Sequence, residues 1–304
     1  MRLEPFGKDF LGLETGLLTV QRLKWLNATL YTIYNNCIMA HITVPEIKSH
    51  KVSKGDPPIV MLTAYDAPGA RIADSGGVDI ILIGDSMATT VLGQPDTIHV
   101  TMEQMVTHVA AVASTKPNAL VVADMPWLSY HLGNADTVRN AAKLIRAGAE
   151  AVKLEGGRSR FECIEALISA EIPVMGHLGL TPQSINRFGG YKVQARDDDA
   201  AKLLIDDAKG LALTGCFAVV LEAVPDKVAA EVTKDITIPT IGIGAGVHCD
   251  GQVLVFHDLL GFSDRVPKFV RKYANLADDA IKGISAWAAD VRAGTFPSDE
   301  ESYH

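Results

Sequence analysis

DIILIGDSMATTVLG, residues 79–93, carries the reading of this chain. Its apolar run, Ile80 to Ile83, stops abruptly at Gly84-Asp85-Ser86. A strand of a parallel sheet reads this way because protein covers both of its faces, which removes the polar alternation. An acid and a hydroxyl placed directly after such a strand stand at its carboxyl end, where α/β proteins put their ligand sites.

The same pattern recurs down the chain. Strand-like runs are PIVMLTAYD (58–66), DIILIGDS (79–86), LVVADMP (120–126), AVKLEGG (151–157), PVMGHLG (173–179), FAVVLEAV (217–224), PTIGIGAG (239–246) and GQVLVFHD (251–258). Helix-like spacing of apolar residues fills 101–115, 136–147, 198–213 and 226–234. Eight strands alternating with helices predict a single (β/α)8 barrel. The link between the seventh and eighth strands is too short for a full helix, and the stretch 275–293 reads as the last helix before a C-terminal tail.

Residues 1–38 lack this rhythm. Glu4, Asp9 and Glu14 fit a mitochondrial presequence poorly. Met39, followed by AHITVPEIKSHK, looks like a natural beginning, so 1–38 is expected to be a dispensable or non-native extension of a catalytic domain spanning 39–304. A net charge of −8 and the lack of any Lys/Arg block exclude a nucleic-acid surface. No uninterrupted apolar run is long enough for a membrane span. The four cysteines show no C-x-x-C spacing, which argues against zinc and for buried thiols in a reducing, cytoplasmic setting.

Function in such a barrel lies at the carboxyl ends of the strands. There the chain places Tyr65-Asp66, Asp85-Ser86, Asp124, Lys153 with Glu155, His177, Glu222, Gly244-Gly246 and His257-Asp258. Asp85, Asp124 and Glu155 converging on one end would need a cation, and hard oxygen donors suit Mg²⁺. Lys153 and Glu155, two apart on a strand, project to the same face. They could serve a substrate anion beside a metal, or form a structural ion pair closing the barrel end. His177 could equally be a satisfied core histidine. Glu222 is either a salt-bridge member or a base with a raised pKa. The glycines of IGIGAG lack the spacing of a dinucleotide fingerprint and instead permit close approach of a ligand or backbone.

Taken together, GDS (84–86), ADMP (123–126), VKLEGG (152–157), GHLGLTPQSINRFGGYKVQ (176–194), LEAVP (221–225) and IGIGAG (241–246) resemble the ketopantoate hydroxymethyltransferase family. The long stretch beginning at Gly176 is the most specific of these. The resemblance implies a (β/α)8 TIM barrel of the phosphoenolpyruvate/pyruvate type, Mg²⁺-dependent and assembled as a homodecamer. It implies transfer of a one-carbon unit from 5,10-methylenetetrahydrofolate to 3-methyl-2-oxobutanoate through a Mg-stabilised enolate, giving 2-dehydropantoate for pantothenate synthesis. By motif, Asp85 and Asp124 would bind the metal, with Glu155 completing its site directly or through water. Ser86 and Lys153 would hold the oxo acid, His177 would lie near its oxygen, and Glu222 would be the base.

One departure stands out: relatives usually carry GDSLGM where this chain has GDSMAT, placing Ala88 at a glycine position. If that backbone needed a positive φ, the methyl group would reshape the loop over the metal. Two other readings compete: a lyase or mutase on the same barrel, and a non-catalytic scaffold. Isocitrate-lyase-like enzymes carry a cysteine before the Gly-His pair, where this chain has Met175.

Overall fold

Each of the eight apolar runs forms a strand in the computed structural model, which describes residues 41–304. The expectation for residues 1–38 lies outside the described residues. The strands are β1 (Ile59–Thr63), β2 (Ile80–Ile83), β3 (Leu120–Asp124), β4 (Ala151–Glu155), β5 (Val174–Gly179), β6 (Ala218–Glu222), β7 (Thr240–Ile243) and β8 (Gly251–Leu254). All pairings are parallel and follow chain order, and β8 closes on β1.

Strand periodicity sorts the core into two layers. Alternate residues such as Met61, Ile80, Leu82, Val122, Ala151, Met175 and Val220 form one apolar cluster inside the barrel. Their neighbours, including Ile81, Val121, Val152, Leu154, Val174 and Leu221, face the surrounding helices. Each fully buried aliphatic side chain contributes about 1.5–3 kcal/mol relative to exposure. A short helix α1 (Val44–Ser49) closes the amino end of the barrel, with Ile47, Ile42 and Val44 packed against the inner cluster. It is anchored by Lys51, whose buried Nζ donates to Asp250 Oδ2 at 2.7 Å and to the Thr233 carbonyl at 2.8 Å.

The outer layer holds α2 (Ala67–Ser75), α3 (Met102–Ala113), α4 (Asn134–Ala147), α5 (Phe161–Ser169), α6 (Asp198–Thr214) and α7 (Asp226–Asp235). Two of these, α2 and α5, are not among the helical stretches expected from periodicity. Helix α2 opens with proline in its first turn and the Asp66 carboxylate accepting from the Gly69 N–H, a start signal readable in the sequence. The β7–β8 link carries no helix, as its length dictates. After β8, α8 (Leu276–Ala293) buries none of its residues. Cys163, Cys216 and Cys249 are buried free thiols. Among the described residues, no helix is long and apolar enough to cross a membrane.

Candidate active site

The inward stripes turn polar at the carboxyl end of the barrel. Leu120 and Val122 lead to Asp124, Ala151 to Lys153 and Glu155, Met175 to His177, and Ala218 and Val220 to Glu222. Register then sets neighbours side by side: Asp124 lies beside Lys153, Glu155 beside His177, and Gly179 beside Glu222. The last pair is close because Gly179, at φ +91°, has no Cβ; a methyl there would sit 2.2 Å from the Glu222 carbonyl oxygen. Asp85, Asp124, Lys153, Glu155, His177 and Glu222 all line one cavity of about 1410 Å³.

Contacts within this group are direct. Lys153 Nζ lies 2.7 Å from Asp124 Oδ1 and 3.3 Å from His177 Nδ1. Asp124 Oδ2 accepts from the Asp85 backbone N–H at 3.0 Å. An ammonium has only hydrogens to give, so His177 Nδ1 is the acceptor and its proton resides on Nε2. That Nε2 lies 3.3 Å from Glu222 Oε2 and has no aligned hydrogen-bond partner. Ser86 reaches the Tyr65 hydroxyl at 2.8 Å.

Burial and charge set the protonation states. Burial holds His177 well below the usual histidine range, with Lys153 adding to the effect, so the ring is neutral. Burial opposes the Lys153 charge, but Asp124, Glu155 and Asp85 outweigh it and hold the ammonium above the ordinary lysine value. Burial, and then the neighbouring Asp124, push Asp85 up to about 7; burial, and then Asp85, raise Glu155 well above its usual value. Glu222 is pushed up to about 7 by burial, with Lys153 pulling the other way.

This donor set fits a divalent cation. Four carboxyl groups face one ammonium, and Asp124 Oδ1 is buried with only the poorly aligned Lys153 contact. Asp85 and Asp124 adjoin, and two carboxylates plus substrate oxygens and water are what Mg²⁺ takes. Glu155, expected to complete the set directly or through water, has one oxygen already engaged. Its Oε2 accepts from the Gln183 backbone N–H at 3.1 Å and its Oε1 faces His177 Nδ1 at 3.6 Å. Among the described residues, no three His, Cys, Asp or Glu side chains gather as ligands of one ion.

Other strand-end residues sort themselves out. Asp66 caps α2, and Asp258 accepts from the Ser263 hydroxyl. Gly244 makes room for the Phe269 ring, which a Cβ would meet at 2.7 Å, and Gly246 for Asp226. Ala88 is fully buried in a one-turn helix, Met87–Thr90, and is not among the residues with positive φ, so its methyl group fits without strain. Strand-end reasoning missed Gln183, which lies beyond β5 in the turn Pro182–Ser184 and bonds Asp85. It also missed Tyr130, which bonds Gln183.

The fold is a closed parallel (β/α)8 barrel, and solved barrels of the phosphoenolpyruvate mutase/isocitrate lyase superfamily resemble it. The structure of 2,3-dimethylmalate lyase, a member of that superfamily, matches with a TM-score of 0.55 at 18% identity, over 86% of this chain and 91% of that one. At the level of sequence, the ketopantoate hydroxymethyltransferase profile matches residues 41–299. The chain is 54% identical, over 87% of its length and 90% of the relative's, to 3-methyl-2-oxobutanoate hydroxymethyltransferase 2 of Bradyrhizobium diazoefficiens. It is 50% identical, over 84% of its length and 96% of the relative's, to the 3-methyl-2-oxobutanoate hydroxymethyltransferase of Thermotoga maritima. This chain belongs to the ketopantoate hydroxymethyltransferase family and is a hydroxymethyltransferase.

Proposed function

We propose that the enzyme transfers a hydroxymethyl group from 5,10-methylenetetrahydrofolate to 3-methyl-2-oxobutanoate, forming 2-dehydropantoate for pantothenate synthesis. The observation that carries this reading is the pairing of an acid and a base across one cavity. Lys153 gathers positive charge at the carboxylate cluster, and Glu222 approaches from another strand with its basicity raised by burial. The hard step is removing a proton from C3, next to a ketone. A Mg²⁺ ion held by Asp85 and Asp124 would supply Lewis-acid stabilisation of the negative charge that develops on the substrate oxygens.

The chain's own residues do the rest. Lys153 and Ser86 bind the oxo-acid carboxylate and oxygen, and the ammonium stands where charge accumulates. Glu222 takes the C3 proton. Neutral His177 presents Nε2–H to the substrate oxygen or to Glu222, and Glu155 steadies the cluster through water. The carbon so activated bonds to the one-carbon unit of the folate, whose two carbon–nitrogen bonds break as water supplies the hydroxyl oxygen and tetrahydrofolate leaves; no enzyme nucleophile is needed. Exchange of C3–H for deuterium in D₂O, followed by proton NMR, tests the proposal. Exchange is expected with Mg²⁺ and not with chelator, and 2-dehydropantoate should form once the folate is added. Absence of both exchange and product would sink the reading.

Room for a second substrate supports the folate assignment. The cavity exceeds the roughly 300–1,000 Å³ of an ordinary small-molecule pocket. Part of the lining is aromatic: His257 and Phe262 line it with ring centroids 5.5 Å apart, and His257 also stacks on the buried Tyr65 at 5.6 Å. Burial keeps His257 below its usual pKa, so this part of the wall is uncharged. Phe262→Ala is expected to raise the KM for the folate donor about two- to tenfold. It should affect C3 exchange less, as steady-state kinetics beside the NMR assay would show; an unchanged donor KM would remove this wall from folate binding.

The same reading makes the enzyme a cytoplasmic homo-oligomer, a decamer by family resemblance. Helix α8 supports self-association, because Ile281, Ile284, Trp287 and Val291 recur at helical spacing and all are exposed.

A further inference from the structure

Gln183 is almost completely buried, and each of its side-chain polar atoms is engaged. Nε2 donates to Asp85 Oδ2 at 2.8 Å and to the Met125 carbonyl at 3.0 Å. Oε1 accepts from the Tyr130 hydroxyl at 2.6 Å, and the backbone N–H donates to Glu155 Oε2. These partners decide which end of the amide is which. A main-chain carbonyl can only accept, so the group facing Met125 is the NH₂. A flipped amide would set oxygen against oxygen at both Met125 and Asp85.

Tyr130 enforces the choice from the other side. Its ring is buried, with the Arg160 guanidinium 5.2 Å from the centroid, and its hydroxyl oxygen also faces the Glu155 N–H at 3.3 Å. With that N–H pointing in, the tyrosine's own hydrogen goes to Gln183 Oε1. The chain of donation therefore runs one way, from Tyr130 to Gln183 to Asp85. It ends on Oδ2. Asp85 Oδ1 has no hydrogen-bond partner among the described residues, and Asp85 lines the cavity.

We propose that Gln183 is a positioning residue of the cation site: aimed by Tyr130, it clamps Asp85 by Oδ2 so that Oδ1 is offered, beside Asp124, to a divalent cation. Its backbone N–H meanwhile holds Glu155 by Oε2. The proposal rests on the magnesium reading above. Partners of this kind, which orient a ligand without touching the ion, typically govern about 10–100-fold of metal affinity.

The test is Mn²⁺ affinity of the full chain without substrate, read from the free-ion signal in electron paramagnetic resonance. Gln183→Met keeps the side-chain length and removes the amide; it is expected to weaken Mn²⁺ binding about 10–100-fold. Tyr130→Phe removes only the aiming hydroxyl and should weaken binding about three- to tenfold. Because Tyr130 acts through Gln183, the double variant should bind no more weakly than Gln183→Met alone.

Affinity within twofold of wild type in a folded Gln183→Met variant overturns the proposal, even if its melting temperature falls, since that is the signature of packing alone. Should that variant not fold, Tyr130→Phe decides by the same criterion. Additive losses in the double variant overturn the one-way chain. A wild-type protein that does not bind Mn²⁺ takes down the magnesium reading and this inference together. Wild-type binding with unaffected variants takes down only the positioning role.

Discussion

Glu222→Gln is expected to slow C3 deuterium exchange about 10²–10⁴-fold, the range that a positioned general base contributes. The substitution keeps the side chain's shape and removes only its capacity to take a proton. Two groups in the cavity could compete for that role, and their environments separate them. His177 is driven well below its usual pKa by burial and by Lys153, so it is a weak base, and its Nδ1 is already occupied by the ammonium. Glu222 is pushed the other way, up to about 7, which matches a base working near neutral pH. The pH dependence follows with a definite sign. The active form is the carboxylate, so the exchange rate should rise about tenfold per unit below pH 7 and level off above it. Rates measured by NMR from pH 5.5 to 8.5 would show this limb in wild type and its loss in the variant. A variant that exchanges at a third of the wild-type rate or more would move the base elsewhere.

How much of this could be read before the fold was known depends on whether a residue acts along its own strand or across the barrel. Asp85, Asp124, Lys153, Glu155, His177 and Glu222 each end or follow an apolar run. Asp124, Lys153, Glu155, His177 and Glu222 continue the inward parity of Val122, Ala151, Met175 and Val220, so strand periodicity aims them inward; Asp85 is out of phase with the inward Ile80 and Leu82 and is marked only by its place at the end of β2. Gln183 follows no such run. It lies in a turn beyond β5 and meets Asp85 from 98 positions away in the chain, a juxtaposition that only barrel closure creates. Tyr130 is hidden for the same reason, since it reaches Gln183 from the loop after β3. For Glu155, the spacing from Lys153 fixes the face it shares, but not the neighbours its oxygens meet, the Gln183 N–H and His177. The helix α2, by contrast, carried its own start signal in Asp66 and the first-turn proline.

Lys153→Met is the substitution with the largest expected cost to stability, and it costs activity as well. Lys153 and Asp124 are buried at 2.7 Å, and Asp85 and Glu155 also draw on the same ammonium. Methionine nearly conserves volume, so the change isolates the charge. Removing one partner of a buried pair typically costs about 3–5 kcal/mol, because the other is left as an uncompensated ion. The carboxyl groups can escape that penalty by holding protons, which sets the pH dependence. In wild type the folded pKa of Lys153 lies above its unfolded value, so its contribution is fully present below about 10.5 and flat between pH 6 and 9. In the variant the carboxyl pKa values rise further, the folded state binds more protons, and the deficit grows with pH. Denaturant unfolding at pH 6 and 8.5 should therefore show the larger loss at 8.5. A loss under about 1 kcal/mol, equal at both values, would mean that the carboxylates do not depend on this cation. Exchange activity should fall by about 10²–10³ as well, the usual cost of one group that stabilises developing negative charge. Both losses have one origin: the charge that lets this polar cluster stay buried is also the charge that a carbanion at C3 would need beside it.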